Sequence, residues 1–242
     1  MNRINNIVLV HGFWADGSSY NQITAQLLAE GYAAIAVQNP LTSLADDVAA
    51  TKRILNRIEG QCILVGHSWG GTVITEVGND EKVSGLVYIA ALAPDAGESM
   101  VDLFSEYETP SQYFQEQEGF IWISQEGIEK ILANDLPVEK AALIYATQTP
   151  AAAAQNHHPN HHPNHLHTSC SCLCYRIGLR IVPTHLASHD CSVIQLLLLP
   201  QVVDVAVPPA SLMISPQVLP HHHYYLLLLQ VPSCYYQQMP MM

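Results

Sequence analysis

The stretch Cys62-Ile63-Leu64-Val65-Gly66-His67-Ser68-Trp69-Gly70-Gly71 constrains this chain more than any other. Its four leading apolar residues are too few for a helix and read as a short buried strand. They run directly into Gly-x-Ser-x-Gly, and a helical pattern follows. A serine on so tight a strand-to-helix turn is forced into a strained backbone conformation that lifts its hydroxyl clear of the sheet. Gly66 and Gly70 lack the β-carbons that would collide there. A bare Gly-x-Ser-x-Gly arises often by chance and then marks a plain surface turn. Here it stands in the strand–turn–helix context that a nucleophilic serine requires, which makes Ser68 the candidate catalytic residue.

The preceding text has the same alternating grammar. Residues 4–10 form an apolar run ending at His11-Gly12, followed by the loop Phe13-Trp14-Ala15-Asp16-Gly17-Ser18-Ser19. A helix is predicted up to Glu30, with Ile23, Leu27 and Leu28 on one face and Gly31 as its stop. Residues 33–37 read as a second strand. Ser43 opens an amphipathic helix whose stripe is Leu44, Val48, Thr51, Leu55 and Ile58. Asp46, Asp47, Lys52, Arg53 and Arg57 read as lying off that stripe, with the acids in the first turn and a base in the last, as the helix dipole favours. After Ser68 come a short helix through Val77 and a fourth strand over residues 86–91. Such spacing gives parallel crossover units, so a doubly wound, mostly parallel α/β sheet is the predicted fold. Sites in such sheets lie beyond the strands' carboxyl ends, where both His11-Gly12-Phe13 and Ser68 fall. Residues 100–149 read as mainly helical (101–107, 111–118, 125–134 and 138–147), a cap over those strand ends or, more plainly, ordinary crossover helices.

These residues resemble the α/β-hydrolase family. The likeness lies in Val8-Leu9-Val10-His11-Gly12-Phe13-Trp14, in Val65-Gly66-His67-Ser68-Trp69-Gly70-Gly71, and in residues 86–91 followed by Ala93-Pro94-Asp95. It is strongest to the small esterase and hydroxynitrile-lyase-like branch and covers about residues 5–150. The resemblance implies that Ser68 is the nucleophile and that the backbone N–H groups of Phe13 and Trp69 form the oxyanion hole. It implies structural roles for His11 and His67. It also implies hydrolysis of a carboxylic ester through an acyl-enzyme, with no metal or organic cofactor. The short stretch over residues 100–149 and the aromatic residues Trp14, Tyr107 and Trp122, which could supply an apolar pocket, point to a small ester. A cyanohydrin-cleaving lyase on the same fold is the nearest alternative, and a catalytically dead hydrolase-fold protein is a third reading.

A serine hydroxyl needs a histidine base and an orienting carboxylate, and in this family they follow the serine in the order acid, then histidine. Composition changes just where they are expected. Residues 1–150 hold 26 of the 30 charged residues and the whole net charge of −12. Residues 151–242 hold only Arg176, Arg180, Asp190 and Asp204, yet contain 11 of 13 His and 5 of 6 Cys. They include Asn156-His157-His158-Pro159, Asn160-His161-His162-Pro163 and Asn164-His165, then Cys170-x-Cys172-x-Cys174, then leucine runs at 196–199 and 226–229. No strand or helix pattern with polar counterparts is legible there. The domain reading is therefore a core over 1–99, a helical cap over 100–150 and an aberrant His/Cys/Pro/Leu-rich segment over 151–242.

Three accounts of that segment compete: an out-of-frame or mis-spliced product, a His/Cys metal-binding tail, or a divergent but working half. In the last case His189, Asp204 and His221 are the triad candidates, and without them the chain would be inactive. Zinc sites favour paired ligand spacings rather than a proline at every fourth position, which counts against the metal reading. The acidic balance argues against nucleic acid or an anionic membrane as partner and leaves a small-molecule ester. Residues 1–12 do not read as a secretion leader, so a cytoplasmic location is expected.

Overall fold

The computed structural model describes residues 4–105, 109–157, 179–183 and 226–227. Four parallel strands make the centre: β1 (Asn6–Val10), β2 (Ala33–Ala36), β3 (Cys62–His67) and β4 (Val83–Ile89), in the order β2-β1-β3-β4. Between them run helices α1 (Asn21–Ala29), α2 (Leu44–Arg57) and α3 (Trp69–Val77). In register, Leu9 of β1 lies beside Val65 of β3, and Val10 beside Gly66. Side chains alternate between the two faces, as the strand period of two demands. Val8, Val10, Leu64, Leu86 and Tyr88 pack with Leu44 and Leu55 of α2 and with Trp69, Val73 and Ile74 of α3. Ile7, Leu9, Ile63, Val65 and Val87 pack on the other side with Ile23 and Leu27 of α1. Both faces are thus covered, the arrangement that lets near-continuous apolar strands form a parallel sheet.

Local signals locate most boundaries. Ser43 caps α2 by accepting a hydrogen bond from the Asp46 N–H at 3.0 Å. Gly31, just past α1, has φ +84°, a conformation that favours glycine. Leu28 is a correction to the sequence reading: it is 54% exposed, while Ile23 and Leu27 are buried. Leu28 lies five residues from Ile23, about 140° round the helix from it. The fourth strand begins at Val83 rather than residue 86 and ends at Ile89. Ala90, at φ +42°, turns the chain out of the sheet so that Leu92 N–H reaches the Ser68 carbonyl at 3.0 Å.

Beyond β4 the chain builds a second unit, the lid, joined to the rest through the Trp14 indole on the Ile121 carbonyl and the Ala152 N–H on the Leu41 carbonyl. It comprises α4 (Met100–Phe104), β5 (Phe114–Gln117), β6 (Phe120–Ile123), α5 (Gln125–Gly127) leading into a π turn (Ile128–Leu132), α6 (Val138–Thr147) and β7 (Ala151–Ala152). The antiparallel sheet β5-β6-β7 corrects the helix expected over residues 111–118. The cause is the two-residue turn Glu118-Gly119, where both residues have positive φ (54° and 78°), as a tight hairpin requires. Glycine adopts this readily and glutamate does not. Glu118→Asn is therefore expected to stabilise the chain by about 0.5–1 kcal/mol, read as a higher urea midpoint; an unchanged or lower midpoint contradicts this account.

Two further short strands join the sheet edge: β8 (Leu179–Pro183), antiparallel to β4, and β9 (Leu226–Leu227), antiparallel to β8. No strand was legible there in the sequence. Backbone pairing depends little on side-chain pattern, and the exposed edge of β4 offers it a template. Among the described residues no helix is long and apolar enough to cross a membrane.

Candidate active site

β3 ends at His67 and α3 begins at Trp69, leaving Ser68 alone at the bend with φ 51° and ψ −122°. A non-glycine residue held there costs about 1–3 kcal/mol, which the surroundings must supply. The Ser68 carbonyl accepts from Gly71 N–H and Leu92 N–H, each at 3.0 Å. Glycines allow the close approaches. A β-carbon on Gly66 would stand 2.6 Å from the Gly70 carbonyl oxygen, and one on Gly12 would stand 2.7 Å from Ser68 Cβ and 3.2 Å from its Oγ. The loop after β1 therefore lies directly against the serine side chain. Trp69 N–H opens α3, at the helix end where backbone donors carry partial positive charge.

The two nearby histidines behave as structural groups. His11 Nε2 accepts from Asn39 N–H at 3.0 Å, so its proton sits on Nδ1, which donates to the Gly12 carbonyl at 2.9 Å. Asn39 Nδ2 closes the loop by donating to the His11 carbonyl at 3.1 Å. Both ring nitrogens are thereby committed, and burial keeps the ring neutral by lowering its pKa. For His67, burial and then the neighbouring His11 push the pKa down to about 4, making it a poor proton acceptor. The triad candidates His189, Asp204 and His221 lie outside the described residues. So does Tyr107.

Phe13 and Trp69 meet through their side chains, the rings stacking at 4.8 Å with 26° between planes. Trp14, at φ 56°, donates from Nε1 to the Ile121 carbonyl on β6 at 2.9 Å and packs on Phe114 of β5 at 5.0 Å. The loop after β1 is thus fastened to the lid. Trp122, a predicted pocket residue, is 38% exposed on β6.

Asp47 corrects the reading of α2. It is fully buried, not solvent-facing: its Oδ1 accepts from Leu41 N–H and its Oδ2 from the Trp69 indole, both at 2.9 Å. The signal was present in the spacing, because Asp47 is three residues after Leu44 and four before Thr51, which places it on the apolar stripe. Burial outweighs these hydrogen bonds and pushes its pKa up to about 6. The folded state thus holds this proton more tightly than the unfolded chain. The stabilisation this provides is complete below about pH 4 and is lost as pH rises through about 6, a change on the order of 3 kcal/mol. Urea unfolding at about pH 4 and about pH 7 should show this fall in the natural chain relative to Asp47→Asn; parallel pH profiles would refute it.

A strained serine between a parallel strand and a helix, facing a glycine-bearing loop from the neighbouring strand, defines a class. The profile of the alpha/beta hydrolase family matches residues 7–225, and the chain belongs to that family. It is 30% identical over 146 residues to the "Probable hydrolase R7" of Phoma sp., covering 54% of this chain and 59% of that protein. It is 31% identical over 129 residues to the carbendazim hydrolyzing esterase of Nocardioides sp., covering 48% and 53%. The chain spans about half the length of these curated relatives. Among solved structures, a pyrethroid hydrolase from Sphingobium faniae superposes with TM-score 0.55 at 21% identity, over 66% of this chain and 73% of that one. A polyneuridine aldehyde esterase mutant does so with TM-score 0.53 at 18% identity, over 62% and 70%. At these identities the structural likeness concerns the fold.

Proposed function

We propose that this chain is a serine esterase that cleaves small carboxylic esters through an acyl-enzyme. The observation that carries the reading is the Ser68 elbow, with the Gly12 loop packed against its side chain. Ser68 Oγ attacks the ester carbonyl while a base takes its proton. The carbonyl oxygen becomes an oxyanion held by Phe13 N–H and Trp69 N–H, and the alkoxide leaves with the proton returned. Water activated by the same base then hydrolyses the acyl group. His11 is fully hydrogen-bonded and His67 is a weak base, so the base is sought among the C-terminal histidines, with His189 and His221 as candidates and Asp204 as the candidate carboxylate. The esterase named among the relatives supports an ester substrate. The lid fastened over the loop after β1 through Trp14 supports a small one. The test is hydrolysis of short p-nitrophenyl esters by the full chain against its Ser68→Ala variant. Equal rates would leave a hydrolase-fold protein without a working triad.

A further inference from the structure

The Asp47 carboxylate lies in the core, where a buried charge is costly unless its partners require it. It has two partners. One is Leu41 N–H, on a residue at φ 56° whose own carbonyl accepts from Ala152 N–H of β7 at 2.9 Å. The other is the Trp69 indole, itself 1% exposed. A neutral side chain of similar shape would fill the space without the desolvation cost. A carboxylate supplies two strong acceptors in fixed directions, and charge-assisted hydrogen bonds are roughly twice as strong as neutral ones. The indole so held is the surface on which Phe13 stacks. Phe13 follows Gly12, where an added β-carbon would stand 2.7 Å from Ser68 Cβ, so the stacked ring and the Ser68 contact hold the backbone on either side of the Phe13 N–H.

We propose that Asp47 is a positioning residue of the oxyanion hole, fixing the Trp69 indole and, through the stacked ring, the backbone N–H of Phe13. This rests on the assignment of Phe13 and Trp69 as the hole donors. Asp47 itself touches no reacting atom. Its effect reaches the reaction through the geometry of a donor that must sit at hydrogen-bond distance from the developing oxyanion, where loss of one donor costs about 10²–10³-fold in kcat. In Asp47→Asn one acceptor oxygen becomes an NH2 facing an N–H donor, so either the indole or Leu41 N–H must swing away.

The experiment measures Asp47→Asn, Trp69→Phe and the double variant in the full chain, with p-nitrophenyl acetate kinetics and amide ¹H–¹⁵N spectra. Asp47→Asn is expected to lower kcat at least about tenfold with KM within about twofold, and the double variant to fall no further than Trp69→Phe alone. The Phe13 amide and the Trp69 indole resonances should shift, while the amides of α1 stay in place. Unchanged kcat, a loss confined to KM, additive effects in the double variant, or an unmoved Phe13 amide would each overturn the proposal. If the natural chain hydrolyses no faster than Ser68→Ala, the esterase reading fails and the Phe13 amide shift alone decides the positioning claim. If Asp47→Asn does not fold, Trp69→Phe takes its place. It deletes the indole N–H but keeps a ring for Phe13, and it should show the same kcat loss and Phe13 shift; their absence would be decisive against the proposal.

Discussion

Purified Ser68→Ala protein is expected to lose at least about 10³-fold of the natural chain's rate on p-nitrophenyl acetate, with its folding unchanged. The size of the loss follows from what the hydroxyl does. Without Oγ no acyl-enzyme forms, and what survives is the modest help that the hole donors give to direct attack by water. Folding should persist because alanine occupies the same strained backbone position, φ 51°, at a cost close to that of serine. The bonds that hold the bend use the Ser68 carbonyl rather than its side chain. Mass spectrometry of the natural chain caught during turnover should find the acetyl group on the peptide containing Ser68, and none in the variant. Rates within about twofold of each other would remove Ser68 from the mechanism.

Where the sequence was legible, the signal was local. The Ser43 cap, the alternating apolar runs and the glycines around Ser68 each dictate backbone conformation within a few residues, and each element they foretell is present. The misses needed information from further away. Residues 114–117 carry Phe, Gln, Glu and Gln, a weak strand sequence, and become β5 because the turn at Glu118-Gly119 folds them back on the apolar β6. Asp47 has the sequence position of an ordinary first-turn acid, and of its two partners the Trp69 indole is 22 residues away. The elbow was readable for the opposite reason: glycine spacing alone records how closely α3 must approach β1 and β3. The acid and base that the family resemblance implies would follow late strands, and the sequence after residue 150 lacks the usual strand pattern, so neither propensity nor spacing singles them out.

That close approach makes Gly70 a position where a single methyl group should cost much stability. Gly70→Ala should destabilise the chain by at least about 3 kcal/mol, lowering the urea midpoint by roughly 1.5 M. A β-carbon on Gly70 would stand 2.2 Å from the Val10 carbonyl oxygen and 3.0 Å from that of His11. Neither obstacle is the end of a flexible side chain. Val10 is paired in the sheet with Gly66, and its carbonyl is held by the Tyr20 hydroxyl at 3.0 Å. Relief therefore requires α3 to part from β1, which would also pull Trp69 from Phe13 and open the loop that faces Ser68. Gly31→Ala is the control, because nothing lies within 4 Å of its β-carbon and the cost is only that of φ +84°. It should lose about 1 kcal/mol and keep full activity. If Gly70→Ala were no more harmful than Gly31→Ala, the helix would not be seated on β1 through this glycine, and the elbow would owe its shape to something other than backbone contact.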